Sequence, residues 1–446
     1  MRDIFLYDSK SKQVLKLNPI EKGKVSIYCC GPTVYNHAHI GNVRPMGVFD
    51  NLRRLLKEVG YDVLFISNYT DLDDKIINEA IKEGCSEAQI TQKYIAAYEK
   101  LREDMNAPLP DMTPMVTKYM EKIIDFINVL VEKDYAYQVD GDVYFSVSKI
   151  PSYGCISNRN IDDLLVGARI EENDKKRNPL DFCLWKTTGI GIKWDSPWSK
   201  GRPGWHTECV AMINDSTSST HVDIHGGGMD LKFPHHENEE AQAYAYCNHS
   251  LASIWMHNGM VNINNEKMSK SLGNFILGKD LISQYGGQIV RWVINSTHYR
   301  APINFTDEIF TSAKSELNKV YFSLKQASIK LDINDAFDDL ENEKFMDDYL
   351  SCLANDLNVS DAMTVLFNAV KELNQLIRAR DVNYKAVSQL FNTINHMLDL
   401  IGIYPYSKKL TKEEKEIYYA WQNAKDSKDY SKADELRNKL MEKGIL

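Results

Sequence analysis

The feature that most limits the possible fold is a strand, turn, helix and second strand that follow one another between residues 25 and 67. Residues 25–29 are apolar enough for a short buried strand, which a glycine–proline pair ends. Apolar side chains at helical spacing then indicate a helix that ends near Gly60, and residues 62–67 are typical of the next strand. Such a βαβ unit predicts a parallel sheet with a nucleotide-sized crevice at the carboxyl ends of its strands.

The rest of the chain divides into an insertion, a return to the sheet and a helical region. Helices are predicted over residues 86–105 and 115–133, followed by a hairpin over 135–145. Strand character returns at 220–224 and again at 254–261. From residue 308 onward the pattern is helical and resembles a separate bundle.

We therefore expect an α/β protein with a Rossmann-type parallel-sheet catalytic domain, a connective insertion and a following all-α domain. The predicted boundaries are 1–85 for the first half of the catalytic domain, 86–200 for the insertion, 201–260 for the second half, 261–307 for a linking region and 308–446 for the helical domain.

Composition adds constraints on location and partners. No apolar stretch is long enough to span a membrane, and the first residues lead into a strand-like segment, so we expect a cytoplasmic protein. Eight cysteines scattered through a long chain argue against a disulfide framework. The formal net charge of −9 argues mildly against a nucleic-acid partner.

Two short signatures suggest phosphate chemistry. The first, His39-Ile40-Gly41-Asn42, stands at the glycine turn that opens the predicted helix, where backbone N–H groups and the helix dipole attract a phosphate. The second, Lys267-Met268-Ser269-Lys270-Ser271, supplies two lysines after a predicted strand. Together they suit adenylate formation, in which negative charge builds on the α-phosphate and the departing pyrophosphate. The alternative is a solvated basic loop and an unrelated turn.

An ordered set of motifs resembles class I aminoacyl-tRNA synthetases, and more narrowly those specific for cysteine. The set spans most of residues 25 to 275. Besides the two signatures, its members are Cys30-Gly31-Pro32-Thr33-Val34-Tyr35, Thr70-Asp71-Leu72-Asp73-Asp74-Lys75, Gly204-Trp205-His206-Thr207-Glu208-Cys209, Asp223-Ile224-His225-Gly226-Gly227-Gly228 and Phe233-Pro234-His235-His236-Glu237-Asn238-Glu239.

The resemblance implies a zinc site made by Cys30, Cys209, His235 and Glu239. Residue type and spacing alone leave the matter open, because buried cysteines are often inert and a histidine four residues before a glutamate is often an exposed pair. The four residue types are nevertheless established zinc ligands. The family pattern gives the adjacent Cys29 and His236 no metal role.

The resemblance also implies the other site residues. The positions that match the family's cysteine pocket are Gly31, Thr70, Trp205 and His225. Without the resemblance, the single tryptophan would be interpreted as a core residue. The glycines at 226–228 suit either close approach of a ligand or a plain loop.

The resemblance implies that the two signatures bind ATP and stabilise the transition state. His39, Gly41, Asn42 and Lys270 would bind ATP, and Lys270 would stabilise the transition state with help from Lys267. The catalytic residues expected from the resemblance are thus His39, Asn42, Lys267 and Lys270.

Two departures from the family pattern stand out. The first signature ordinarily ends in histidine, but position 42 is asparagine, whose amide donates hydrogen bonds but cannot become cationic. The sequence ends at Leu446, where related proteins usually continue with a short segment, so we expect either that part of the anticodon-reading surface is absent or that this is a shortened chain.

The resulting hypothesis is ATP-dependent activation of L-cysteine and its transfer to tRNA(Cys) by a monomer that uses one Zn²⁺, and Mg²⁺ with ATP. The helical domain would bind the anticodon. Two alternatives remain: a ligase that passes activated cysteine to a small amine, and a noncatalytic RNA-binding relative.

Overall fold

The computed structural model describes residues 2–159, 175–217, 219–267 and 275–445. The chain forms two compact units. The first comprises Met1–Phe310 together with Cys352–Val359, and the second comprises Thr311–Ser351 and Ser360–Leu446.

Strands occur in the first unit, and helices occur in both. The strands are β1 (Phe5–Asp8), β2 (Gln13–Lys16), β3 (Lys24–Cys29), β4 (Asp62–Ile66), β5 (Ala136–Val139), β6 (Asp142–Phe145), β7 (Phe182–Thr187), β8 (Gly201–Pro203), β9 (Val222–Gly228), β10 (Ala252–Asn258), β11 (Val261–Ile263), β12 (Glu266–Lys267) and β13 (Ile303–Phe305). The helices are α1 (Ile40–Glu58), α2 (Asp74–Glu83), α3 (Glu87–Asp104), α4 (Met120–Glu132), α5 (Glu208–Ser216), α6 (Glu237–Cys247), α7 (Gly278–Tyr285), α8 (Gly287–Asn295), α9 (Asp307–Ile333), α10 (Glu343–Ala354), α11 (Val359–Arg378), α12 (Tyr384–Leu400), α13 (Lys412–Asp426) and α14 (Tyr430–Glu442).

A four-stranded parallel sheet forms the centre of the first unit. Its spatial order is β10-β9-β3-β4, so the two strands before the insertion pair with the two strands after it. Apolar residues of these strands, such as Val25, Ile27 and Ile224, are buried, as expected for a parallel sheet covered on both faces. Helix α1 joins β3 to β4 and packs against β4 and β9. The predicted βαβ unit and the α/β class are confirmed.

The segment between the two halves of this sheet contains its own antiparallel sheet, in the order β5-β6-β7-β8. Helix α4 packs against β5 and also against α5 and α6. The inserted segment therefore shares a core with the second half of the first unit. Fully buried members of that core include Phe145, Trp185 and Met212.

The region after β10 forms a small sheet in the order β12-β11-β13, together with helices α7 and α8. Both helices pack against α1. The second unit is helical, as predicted, and contains most of α9, most of α10 and helices α11 to α14. None of the helices among the described residues has both the length and the apolar character needed to cross a membrane.

Gly226, Gly227 and Gly228 belong to strand β9 and not to a loop. A Cβ atom at Gly226 would lie 1.8 Å from the carbonyl oxygen of Met256 on the neighbouring strand. Glycine at this position is therefore required by the close approach of β9 to β10.

Candidate active site and metal centre

A cleft of about 520 Å³ opens at the carboxyl ends of the central parallel strands. Its lining follows β3 at Cys30, β9 at Gly228 and β10 at Asn258. This is the edge where parallel α/β sheets bind ligands. The expected site residues that line the cleft are Cys30, Gly31, His39, Gly41, Asn42 and Trp205.

Helix α1 begins at this cleft, and its first turn is capped by the signature residues themselves. The backbone N–H of Gly41 donates to Nδ1 of His39 at 3.1 Å, and the backbone N–H of His39 donates to Oδ1 of Asn42 at 3.2 Å. The two side chains thus form a reciprocal capping box. Asn42 therefore stabilises the helix start that faces the cleft.

The segment that follows the lysine signature is bonded to the same helix start. The backbone N–H of Ile40 donates to the carbonyl of Ile276 at 3.1 Å, and that of Gly278 donates to the carbonyl of Ala38 at 2.9 Å. The ring of Phe275 meets the ring of His39 edge-on, with centroids 5.4 Å apart. The residues just after the signature therefore lie beside the first signature.

The two signature lysines are placed differently. Lys267 ends strand β12, and its backbone alone is described. Lys270 lies outside the described residues.

Four side chains gather at the base of the cleft. Cys30, Cys209, His235 and Glu239 each offer one donor atom, and these atoms lie within 4.8 Å of one another. The two Sγ atoms are 4.0 Å apart, Sγ of Cys209 is 3.8 Å from Nε2 of His235, and Nε2 of His235 is 3.0 Å from Oε1 of Glu239. Zinc bonds of about 2.0–2.3 Å in a tetrahedron place ligand atoms roughly 3.3–3.8 Å apart, so both the chemistry and the spacing of the set fit zinc.

The local folding of the chain explains how residues distant in sequence meet here. Cys30 directly follows β3, and Cys209 lies in the first turn of α5. His235 lies in the short segment Lys232–His236, which the extended backbone of Phe233 interrupts, and Glu239 lies in the first turn of helix α6 that follows it.

Burial and mutual contacts shift the titration of this cluster. Burial raises the pKa of the Cys30 thiol well above its usual range, whereas the hydrogen bond from Cys30 lowers that of Cys209. Burial acts to raise the pKa of Glu239, but the neighbouring rings of His235 and His225 outweigh it and hold this pKa well below its usual range. Glu239 is therefore a carboxylate, and Cys209 is the readier of the two thiols to ionise.

A second set of donors overlaps the first. Cys30, His225, His236 and Glu239 also lie within 4.8 Å of one another. In this set both ring nitrogens of His225 are already bonded, to the Tyr28 carbonyl at 3.0 Å and to Oε2 of Glu239 at 2.8 Å. The first set contains two sulfur donors and the second contains one, which favours the first for zinc.

Thr70 and Gly31 belong to one hydrogen-bonded network beside the cluster. The backbone N–H of Gly31 donates to Oδ1 of Asn68 at 2.9 Å, Nδ2 of Asn68 donates to Oγ1 of Thr70 at 3.2 Å, and Thr70 donates to Glu208 at 2.9 Å. Burial raises the pKa of Glu208 well above its usual range. A Cβ at Gly31 would lie 1.7 Å from the carbonyl oxygen of Asn68, so no larger residue fits there.

Trp205 and His225 occupy different environments. Trp205 is 44% exposed, and its ring stacks on His235 with centroids 4.6 Å apart. His225 was expected to contact the substrate, but its side chain is 0% exposed and it does not line the cleft. The alternation of strand β9 turns this ring away from the cleft and toward Glu239.

Two further residues of the site were not predicted. His206 places Nδ1 3.0 Å from Nδ1 of His235, and burial lowers its pKa to about 3. Glu208 lies beside Cys209 and bonds Thr70. Both residues lie in the motif that contains Trp205 and Cys209. Their nearness in sequence to these two expected site residues could have identified them as candidates.

Family comparisons agree with this arrangement. Residues 16–315 match the model of the tRNA synthetases class I (C) catalytic domain, and residues 348–404 match the DALR domain.

Full-length relatives give a narrower assignment. A protein of Halalkalibacterium halodurans is 41% identical over 99% of this chain and 97% of its own length. A protein of Malacoplasma penetrans is 42% identical over 99% of this chain and 100% of its own length. Both carry the name cysteine--tRNA ligase.

Solved structures support the fold. The methionyl-tRNA synthetase of Mycobacterium tuberculosis bound by methionyl-adenylate aligns with a TM-score of 0.64 at 13% identity, over 89% of this chain and 94% of its own. An arginyl-tRNA synthetase structure from Campylobacter jejuni aligns with a TM-score of 0.57 at 15% identity, over 87% of this chain and 95% of its own. The family model and the full-length relatives establish that the chain belongs to the class I aminoacyl-tRNA synthetases, in the cysteine--tRNA ligase family.

Proposed function

We propose that this protein activates L-cysteine with ATP and transfers it to tRNA(Cys). The observation that carries the proposal is the cluster of two sulfurs, one imidazole and one carboxylate at the base of a cleft that also exposes the start of helix α1. A thiol-binding centre and a phosphate-binding helix start would then face one cavity. Cysteinyl-adenylate requires both functions at one place.

Zinc is proposed as the resident metal, held by Cys30, Cys209, His235 and Glu239. Bound zinc would act as a Lewis acid that accepts a thiolate more readily than an alcohol. Among the protein groups, Cys30 lines the cleft, whereas the side chains of Cys209, His235 and Glu239 are buried behind it. The exposed indole of Trp205 would limit the size of the side chain that enters the pocket, Gly31 would line it, and the buried Thr70 would support it through its hydrogen bond to Glu208.

In the first step the carboxylate of cysteine would attack the α-phosphate of ATP and displace pyrophosphate. The positive end of the α1 dipole would face the phosphates, with His39 and Asn42 fixing the geometry of that turn. Lys270, assisted by Lys267, would stabilise the negative charge that develops during the displacement. Mg²⁺ would accompany the nucleotide. No covalent enzyme intermediate is needed, so positioning and electrostatics supply the catalysis.

In the second step the terminal ribose hydroxyl of the tRNA would attack the carbonyl carbon of the adenylate and release AMP. The helical second unit would bind the anticodon region, and the protein would act as a monomer. The match of residues 348–404 to the DALR domain supports this assignment of the second unit.

The two alternatives have less support. A ligase with a small amine acceptor would not require the helical region after residue 310, yet the relatives named cysteine--tRNA ligase match over that region as well. A noncatalytic RNA-binding relative would not require the four-donor cluster. Cysteine-dependent exchange of pyrophosphate into ATP tests the proposal: exchange is expected, and its absence from folded, zinc-loaded protein would contradict the proposed activation step.

A further inference from the structure

His225 lies in the centre of the sheet, in a row of three fully buried side chains. It pairs in register with Tyr28 on one neighbouring strand and with Trp255 on the other. All three residues are 0% exposed. Because these strands are the rigid core of the unit, a group held by this row is fixed relative to the whole sheet.

The ring of His225 is held in one orientation. Trp255 stacks on it with centroids 4.6 Å apart and planes 28° from parallel, and Tyr28 meets it edge-on at 5.2 Å. Its Nδ1 lies 3.0 Å from the backbone carbonyl oxygen of Tyr28. Two aromatic contacts and one backbone hydrogen bond therefore leave Nε2 pointing in a single direction.

That direction is toward Glu239. Nε2 donates to Oε2 of Glu239 at 2.8 Å, while Oε1 of the same carboxylate lies 3.0 Å from Nε2 of His235 and 3.8 Å from Sγ of Cys30. One oxygen thus faces the sheet and the other faces the proposed ligands. The terminal torsion of a glutamate has a broad preference, so the carboxylate plane needs an external partner to be fixed.

We propose that His225 is a positioning residue for the metal centre: it holds Oε2 of Glu239 and thereby presents Oε1 to the ion. Without it, Oε2 would be a buried acceptor lacking this partner, and the carboxylate would be free to rotate. This inference rests on the proposed zinc site. It also assigns His225 a role through another residue, in place of the substrate contact expected from the sequence.

Three substitutions separate hydrogen bonding from packing. The amide nitrogen of His225→Gln takes the position of Nε2, that of His225→Asn takes the position of Nδ1, and His225→Leu removes both. Loss of such a partner of a metal ligand typically weakens metal binding on the order of 10- to 100-fold. We expect this loss for the asparagine and leucine variants and a smaller loss for the glutamine variant.

His257→Gln is the matched control. His257 is equally buried, lies on the adjacent strand and bonds His236 and Ser9, but it contacts none of the four proposed ligands. Zinc affinity would be measured by competition with a chromophoric chelator, and the ligand geometry by the visible spectrum of the Co²⁺-substituted protein. We expect an altered Co²⁺ spectrum for His225→Asn and an unchanged one for His257→Gln.

A double-substitution cycle tests whether His225 acts through Glu239. In a Glu239→Gln background, His225→Asn is expected to weaken Zn²⁺ binding no further. Equal zinc affinity of His225→Asn and the unchanged protein, equal losses in His225→Asn and His257→Gln, or additive losses in the cycle would each overturn the inference. Failure of the unchanged protein to bind zinc would instead overturn the metal site itself.

Discussion

The indole of Trp205 stacks on the imidazole of His235, with ring centroids 4.6 Å apart and planes 25° from parallel. One residue of the cleft wall is thereby joined to one proposed metal ligand. Trp205 is 44% exposed, so part of its indole ring is accessible to a ligand in the cleft.

The stacked pair gives the first prediction. Trp205→Ala should raise KM for cysteine, because it removes the pocket wall and an aromatic contact of about 0.5–1.5 kcal/mol that orients His235. Trp205→Phe should retain most of the affinity. Steady-state pyrophosphate exchange at varied cysteine checks this, with KM for ATP as the internal control. An unchanged KM for cysteine in Trp205→Ala would remove the residue from the pocket.

Zinc content is the second prediction. Protein purified without added zinc should contain about one equivalent, and Cys209→Ser should contain much less because a thiolate ligand is lost. Cys85→Ala and Cys247→Ala should keep their zinc, since neither cysteine belongs to a four-donor cluster of the described residues. Elemental analysis measures the zinc content of the three variants. A full zinc content in Cys209→Ser would show that other residues hold the metal.

Asn42 gives the third prediction. Its amide oxygen accepts one hydrogen bond from the backbone of His39 at the start of helix α1, so Asn42→Ala should lower the free energy of unfolding by about 0.5–1.5 kcal/mol. Asn42→Asp keeps the accepting oxygen and should preserve most of that stability. Asn42→His restores the family residue and should retain activity. Chemical denaturation and exchange kinetics test these variants; an inactive but stable Asn42→His would mean that the cleft has adapted to asparagine.

Lys270 gives the fourth prediction. Removal of one preorganised charge that acts in the transition state typically costs on the order of a hundredfold or more in rate. Lys270→Ala should therefore slow adenylate formation far more than it weakens cysteine binding. Single-turnover kinetics separate the two quantities, with the partly exposed Lys193→Ala as a control. Unchanged activation by Lys270→Ala would exclude the catalytic role.

The sequence predicted the sheet because its evidence was local. Residues 25–67 contain strand, turn and helix signals in the order of a βαβ unit, and the structure shows β3, α1 and β4 there. The sequence left the glycines of β9 open between ligand approach and a loop, because the reason for Gly226 is not local: it is the carbonyl of Met256 on the neighbouring strand.

The sequence also could not predict those parts of the site that depend on non-local contacts. The roles of His206 and Asn68 depend on contacts across the fold, which no spacing rule contains. Net charge gave the wrong indication about partners, because a formal charge of −9 sums the whole surface and says nothing of one binding face.

The first unit also includes a short segment from the later, helical part of the sequence. Residues Cys352–Val359 belong to it, and Asp356 within them accepts hydrogen bonds from the backbone of Tyr7 at 2.8 Å and from the hydroxyl of Tyr299 at 2.6 Å. Truncation after residue 310 would remove these contacts. Point substitutions in the second unit are therefore the better test of its proposed role in tRNA binding.

Charging of tRNA(Cys) with radiolabelled cysteine, compared with serine at equal concentration, is the most direct test of the proposed function. We expect ATP-dependent charging with cysteine and a preference over serine of about 10⁴-fold or more, because shape alone distinguishes such similar side chains by only about 10–200-fold. Cysteine-dependent pyrophosphate exchange without any charging of tRNA would contradict the proposed function and favour a ligase with a small amine acceptor.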